Sequence, residues 1–179
     1  GHQVQAFASA REFLGTVPGV EETAGCLVLD VRMPGLTGMD LQRELQTKKP
    51  DLPIVFITGH GDIPMSVNAM KAGAVDFLPK PVKDTDLLRA IEQALARASR
   101  NRAARKEVED LQRRADTLTL REREVMPLVA RGMPNKLIAF QLGTVEKTIK
   151  VHRARIMQKM RAQSVPDLVG GVVKLGISR

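Results

Sequence analysis

Residues 26–38 read Cys-Leu-Val-Leu-Asp-Val-Arg-Met-Pro-Gly-Leu-Thr-Gly, and the first half of the chain is organised around them. A β-rich run from Cys26 to Asp30 ends on a carboxylate, and a helical pattern follows from about Met39 to Thr47. The alternation then repeats. A strand from Ile54 to Thr58 precedes a helix opened by Asp62 and Pro64 and running toward Ala72, and a strand from Ala74 to Leu78 precedes a helix capped by Asp84 and running to about Ala98. Upstream, Val4 to Phe7 is predicted as another strand and Ser9-Ala-Arg-Glu12 as the capping box of a short helix. Strands alternating with helices specify a parallel sheet with helices on both faces, a doubly wound α/β domain.

In such sheets ligands bind beyond the carboxyl ends of the strands. Asp30 and Thr58 end two of the predicted strands and Lys80 follows the last, so one crevice receives a carboxylate, a hydroxyl and an ammonium. Each has an ordinary role when taken singly: Asp30 capping a turn, Thr58 bonding backbone, Lys80 solvated. Together they suit one reaction, in which the carboxylate accepts a phosphoryl group as an acyl phosphate and the other two hold its oxygens.

The second half has a different charge. Residues 1–98 carry 10 Lys and Arg against 12 Asp and Glu, whereas residues 99–179 carry 18 against 8. A basic half beside a mildly acidic one points to a polyanionic partner, since phosphate neutralisation supplies most non-specific nucleic-acid affinity. With no Trp, no Tyr and 3% aromatic residues there are few stacking platforms for unpaired bases, which favours duplex DNA over single strands. No apolar run is long enough for a membrane helix, and the single cysteine, Cys26, fits a reducing cytosol. With one cysteine and the histidines remote in sequence, no metal-ligand cluster is expected.

Residues 99–115 contain neither Gly nor Pro and are predicted as a helical linker that continues the preceding helix. Ala104, Val108, Leu111, Ala115 and Leu118 follow 4-3-4-3 spacing, which suits either a short coiled-coil seam between two chains or an exposed connecting helix. Beyond them the pattern is purely helical. Thr119-Leu-Arg-Glu122 is a capping box, Gly132 ends that helix, Asn135 caps the next, Gly143 ends it, and a longer helix runs from about Glu146 to Met160. On this last helix Ile149, Arg153, Ile156 and Met160 form the core stripe. Lys147, Lys150, Val151, Ala154 and Gln158 lie opposite, a strip suited to phosphates, guanine edges and thymine methyls. The domains are therefore 1–98, a linker at 99–115, and an all-α helix-turn-helix domain at 116–179.

The segments CLVLDVRMPGLTG (26–38), IVFITGHGD (54–62) and AVDFLPKP (74–81) resemble the receiver domains of two-component response regulators of the NarL/FixJ group. LTLREREV (118–125), ARGMPNKLIAFQLG (130–143) and EKTIKVHRARIMQKM (146–160) resemble the LuxR-type helix-turn-helix. The resemblance implies a flavodoxin-like sheet with Asp30 as phosphoacceptor, Thr58 as switch hydroxyl, Phe77 as the aromatic that reorients, Lys80 as the phosphate-binding lysine, and a cis peptide before Pro81. It further implies Lys150 and Val151 as base readers, Lys147 and Arg155 as phosphate contacts, and His152 as a packed histidine. A sensor histidine kinase, double-stranded DNA and a homodimer on phosphorylation are the implied partners. In this group the last helix carries dimer contacts, here through Leu168, Val172 and Leu175, and Gly170-Gly171 is expected to interrupt it.

One part of the pattern is missing. Receivers hold Mg²⁺ through an acidic pair after the first strand, the acceptor aspartate and the backbone carbonyl two residues on, here Arg32. The chain shows no such pair, so Asp30 and the Arg32 carbonyl should bind Mg²⁺ weakly. The expectation is a receiver whose first strand and helix precede Gly1, leaving an incomplete sheet in which Val4–Phe7 pairs with Cys26–Asp30 or borrows a strand, and which phosphorylates poorly. A constitutive DNA-binding protein with a receiver remnant is the alternative. An aspartyl-phosphate hydrolase is disfavoured, because Arg32 stands where the second acid would protonate the leaving group.

Overall fold

The computed structural model describes residues 2–16, 25–48, 52–59 and 63–177. The chain divides into two compact units, Gly1–Ala103 and Ala104–Arg179. The elements are α1 (Ala10–Thr16), β1 (Leu27–Asp30), α2 (Gly38–Lys48), β2 (Ile54–Thr58), α3 (Ile63–Lys71), β3 (Asp76–Pro79), α4 (Asp84–Asp116), α5 (Leu120–Ala130), α6 (Asn135–Gln141), α7 (Glu146–Met160) and α8 (Val165–Lys174). Asp62, expected to help open α3, lies outside the described residues.

The strands pair in parallel in the order β1-β2-β3, with Asp30 opposite Ile57 and Thr58 opposite Pro79. Their side chains alternate between two cores, as the pleat requires. Leu29, Ile54, Phe56 and Phe77 join Phe13, Leu41, Leu45 and Ala69 from α1, α2 and α3 on one face. Val55, Ile57 and Leu78 meet Ala90 and Ala94 of α4 on the other. Those alanines are fully buried, and their small size lets α4 lie close to the sheet. Gln42 Nε2 donates to the carbonyls of Ala69 (3.2 Å) and Ala72 (3.1 Å), tying α2 to the end of α3.

Several local expectations need correction. Val4–Phe7 forms no strand; Phe7 packs edge-on against Phe13, with centroids 5.3 Å apart, and joins the sheet-face core. Neither pairing proposed for that segment is seen, and among the described residues no strand covers the outer edge of β1. At α1 the Ser9 hydroxyl accepts from Glu12 N (3.2 Å), but the Glu12 carboxylate reaches back to Ala8 N (2.6 Å) rather than to the Ser9 amide. β3 begins at Asp76, not Ala74, although Val75 N already bonds Ile54 O at 2.7 Å. Asp84 is the first residue of α4 rather than its cap, and its charge lies in the first turn, where the helix dipole favours an acid. With no Gly or Pro to stop it, α4 runs unbroken to Asp116.

The second unit surrounds one core. Val125, Met126, Leu128 and Val129 of α5 meet Ile138 and Ala139 of α6, Ile149, Ile156 and Met160 of α7, and Leu168 and Val172 of α8. The end of α4 belongs to the same core: Ala115 and Leu118 are buried and Leu111 packs against it, while Ala104 and Val108 stay exposed. The far half of the 4-3-4-3 seam is thus used within the chain. Leu168 and Val172 are likewise core residues and not free dimer contacts, and Leu175 packs beside them. α8 is not interrupted at Gly170-Gly171. A side chain at Gly171 would press on Leu111 Cδ2 at 3.3 Å, so the glycine permits close approach of α8 to α4.

The capping box of α5 forms as expected, with Thr119 Oγ1 accepting from Glu122 N and Glu122 Oε2 from Thr119 N. The helix continues through Pro127. Asn135 does not cap α6. Pro134, held near φ −61°, takes the cap position, and Asn135 Oδ1 instead accepts from Arg153 Nη1 of α7 at 3.3 Å.

Candidate functional site

β1 and β2 deliver Asp30 and Thr58 to the same end of the sheet, and Lys80 follows β3 one residue past its end. Lys80 N bonds Thr58 O at 2.7 Å, which carries the chain past β2, and the Lys80–Pro81 peptide is cis. From there Lys80 Nζ donates to Asp30 Oδ2 at 2.6 Å, with side chains 44% and 30% exposed. The other oxygen, Oδ1, accepts from Arg32 N at 3.0 Å. Burial alone would push the Asp30 carboxyl up, but the Lys80 ammonium and the Arg32 and Val31 amides outweigh it and hold the pKa below its ordinary value. Asp30 is therefore ionised at neutral pH and open on one side to solvent.

Thr58 is almost fully buried at 1% exposure. Phe77 is half-buried and tilted against Phe56, its partner on β2, with ring centroids 6.0 Å apart. The turn after Asp30 is built by residues whose importance the sequence reading did not isolate. Gly38 N bonds Val31 O at 3.0 Å, and a Cβ at Gly38 would overlap Asp30 O and lie 3.1 Å from Val31 Cα. Thr37 and Asp40 exchange bonds at the start of α2, Asp40 N to Thr37 Oγ1 at 3.2 Å and Thr37 Oγ1 to Asp40 Oδ2 at 2.5 Å. A Thr three residues before an acid at a helix start is the signal that could have found them.

Among the described residues no group of three or more His, Cys, Asp or Glu side chains gathers to hold a metal ion. Both oxygens of Asp30 are already engaged, and Arg32 supplies only its backbone to the turn. The described residues do not by themselves make a Mg²⁺ site, which needs several oxygen ligands in near-octahedral array.

In the second unit, Ile149, Ile156 and Met160 of α7 are buried and Arg153 is half-buried, as the helical spacing requires. Lys147, Lys150, Val151, Ala154, Arg155 and Gln158 are exposed together. Lys150 is lightly held by Glu146 at 3.3 Å, an exposed i, i+4 pair worth a few tenths of a kcal/mol, about 0.3–0.5. His152 is half-buried with Nδ1 enclosed. Lys159 behaves differently from its neighbours: it turns inward to Glu122 Oε2 at 2.6 Å and Thr117 O at 3.0 Å. Nothing local announces that contact, whose partners lie 37 and 42 residues away.

Both units of the chain match known families. Residues 1–92 match the family "Response regulator receiver domain", and residues 116–170 match "Bacterial regulatory proteins, luxR family". The chain is 51% identical over 179 residues to Nodulation protein W of Bradyrhizobium diazoefficiens, covering 99% of this chain and 78% of that one. It is 46% identical over 169 residues to the transcriptional regulatory protein FixJ of Rhizobium meliloti, covering 94% and 82%. A low-resolution structure of the response regulator StyR superposes with a TM-score of 0.78 at 49% identity, covering 94% of this chain and 84% of that one.

Proposed function

The chain belongs to the response regulators of the NarL/FixJ group, which join a receiver to a LuxR-type DNA-binding domain, and from that premise we propose that Asp30 is its phosphoacceptor and α7 its DNA-reading helix. The observation that carries the reading is the 2.6 Å bond between Lys80 Nζ and Asp30 Oδ2, at the strand ends where Thr58 also lies.

A carboxylate oxygen of Asp30 attacks the phosphorus of a phosphohistidine on the sensor kinase. A P–O bond forms, the P–N bond breaks, and the imidazole leaves with its electron pair and is neutralised by a proton from solvent. Lys80 moves from the carboxylate to the new phosphoryl oxygens, a charge-assisted contact of the same kind as the one it leaves. The Thr58 hydroxyl is drawn to another of those oxygens, and the space it vacates is the space Phe77 fills when it turns inward. Receivers generally take Mg²⁺ for this step. Asp30 and the Arg32 carbonyl are the groups here that would face it.

The response reaches DNA through dimerisation. Ile63, Val67 and Met70 recur at i, i+4 and i+7 on α3 and are all exposed, an apolar stripe on the receiver that supports pairing of two phosphorylated chains. In the second unit Lys150 and Val151 read base edges in the major groove, Lys147 and Arg155 hold phosphates, and Ala154 contacts a thymine methyl. The family consists of transcription regulators and is generally not enzymatic. No described helix is long and apolar enough to cross a membrane, and a DNA target supports a cytoplasmic location.

A second reading has one observation in its favour. The acidic cluster that would hold Mg²⁺ is absent among the described residues, as a constitutive DNA-binding protein with an inert receiver would show. Incubation with acetyl phosphate followed by peptide mass spectrometry separates the two: a phosphoryl adduct on Asp30, lost in Asp30→Asn, supports the first, and no adduct supports the second.

A further inference from the structure

The recognition helix α7 is held unequally at its two ends. Its N-terminal end begins at Val145, which makes no side-chain cap. Its C-terminal end is tied three ways by polar bonds. Arg114 Nη1, on the last turns of α4, donates to Met160 O at 3.3 Å, while Lys159 Nζ donates to Thr117 O at 3.0 Å and to Glu122 Oε2 at 2.6 Å. Arg114 is also paired with Asp110, and Glu122 is only 1% exposed and already committed to the α5 cap, so neither anchor is free to wander.

Burial of Ile149, Ile156 and Met160 fixes how deeply α7 sits, but apolar contact is not directional. Rotation and tilt are set by directional bonds; one of them, Arg153 Nη1 to Asn135 Oδ1 at 3.3 Å, lies midway along α7, and the other three are at its C-terminal end. Val151 lies nine residues before Met160, roughly 13 Å along the axis, so a tilt of about 5° about that end moves it by about 1 Å. Displacement on that scale exceeds the roughly 0.5 Å tolerance of a preorganised polar contact.

We propose that Arg114 and Lys159 are positioning residues for DNA reading, which clamp the C-terminal end of α7 to the end of α4 and the start of α5 without touching DNA themselves. The proposal rests on α7 being the reading helix. It also makes the last turns of α4 part of the DNA-reading apparatus, and it removes Lys159 from the set of phosphate-binding cations that its place on a basic helix suggests.

The test uses the full chain, a short duplex that the wild type selects from a randomised pool, and a scrambled duplex of the same composition. Affinity for both is measured across a salt series for wild type, Arg114→Met, Arg114→Lys and Lys159→Met, with circular dichroism and urea unfolding to establish folding. The expected result is that Arg114→Met and Lys159→Met stay folded, keep the wild-type salt slope, and lose about tenfold of the selected-to-scrambled ratio, the worth of one base-edge contact. Arg114→Lys, which keeps a donor for Met160 O, recovers part of the ratio; if Arg114→Met fails to fold, Arg114→Lys and Lys159→Met carry the comparison. An unchanged ratio in folded variants overturns the proposal in favour of a merely structural role. Equal losses on both duplexes with a salt slope shallower by about 0.9 overturn it in favour of a direct phosphate contact. A wild type that prefers no duplex overturns the DNA-reading assignment itself, and is seen before any variant is made.

Discussion

Gly38 and Asp30 are packed backbone to backbone: the position a Cβ would take at Gly38 overlaps the Asp30 carbonyl oxygen, and Gly38 N bonds Val31 O at 3.0 Å. The start of α2 is thereby pressed against the end of β1, and the turn that carries the Asp30 carboxylate has no slack.

Gly38→Ala should therefore displace the backbone of Asp30 and Val31 and not merely crowd a flexible side chain. Overpacking of this kind costs about 1–3 kcal/mol, and the Asp30 carboxylate moves with its own main chain. Urea unfolding should show the loss of stability, and phosphorylation by acetyl phosphate should slow more than the stability change accounts for.

Lys80→Met removes the cation that helps hold the Asp30 pKa down, so that pKa should rise toward its ordinary value, read from the carboxyl chemical shift across an acid titration. Because both partners are substantially exposed, stability should change by no more than about 1 kcal/mol. DNA affinity without phosphodonor should stay at the wild-type level, and the response to phosphodonor should disappear.

Burial on its own raises the Glu122 pKa, but the bonds from Lys159 and Thr119 reverse that and leave it below the usual range. A carboxyl lowered on folding adds stability that is fully present above its unfolded pKa and is lost as pH falls through the folded one. The urea midpoint should accordingly drop on acidification between the ordinary glutamate pKa and the lowered value. Asp30 and Asp40 are shifted the same way and contribute to the wild-type slope, so the informative quantity is its difference from Glu122→Gln, whose acid limb should be shallower.

Arg161 caps the end of α7 at φ 54°, in the left-handed region, and it is the one described non-glycine residue there. Arg161→Gly should stabilise the second unit by about 0.5–1 kcal/mol, seen as a higher thermal midpoint, because glycine adopts that conformation without a Cβ clash. A lower midpoint would mean that the arginine side chain contributes more than its backbone costs.

What was legible in the sequence was local. Cys26–Asp30, Ile54–Thr58 and the run before Lys80 announced strands because buried parallel strands are nearly continuous in apolar residues, and the polar residues that end them marked the site. The structure brings Asp30 and Lys80 together as that reading expected. Val4–Phe7 misled because four residues of favourable composition carry no information about a partner, and Val4 is largely exposed with its backbone outside any ladder. Asn135 has the composition of a cap, yet the proline before it already supplies the extended backbone a cap needs. The seam from Ala104 to Leu118 was ambiguous because the spacing that suits a second chain equally suits α8 of the same chain, and only the fold shows Leu111 meeting Gly171. Lys159 and Arg114 could not be found at all, since their roles exist only once distant segments meet.

The most direct test of the account is the affinity of the full chain for its selected duplex, measured by fluorescence anisotropy at fixed salt with and without acetyl phosphate and Mg²⁺, beside Asp30→Asn. A phosphorylation-controlled regulator predicts tighter binding with phosphodonor that is lost in Asp30→Asn. Equal affinity in the presence and absence of phosphodonor, with binding otherwise intact, would contradict it and leave a constitutive DNA-binding protein in its place.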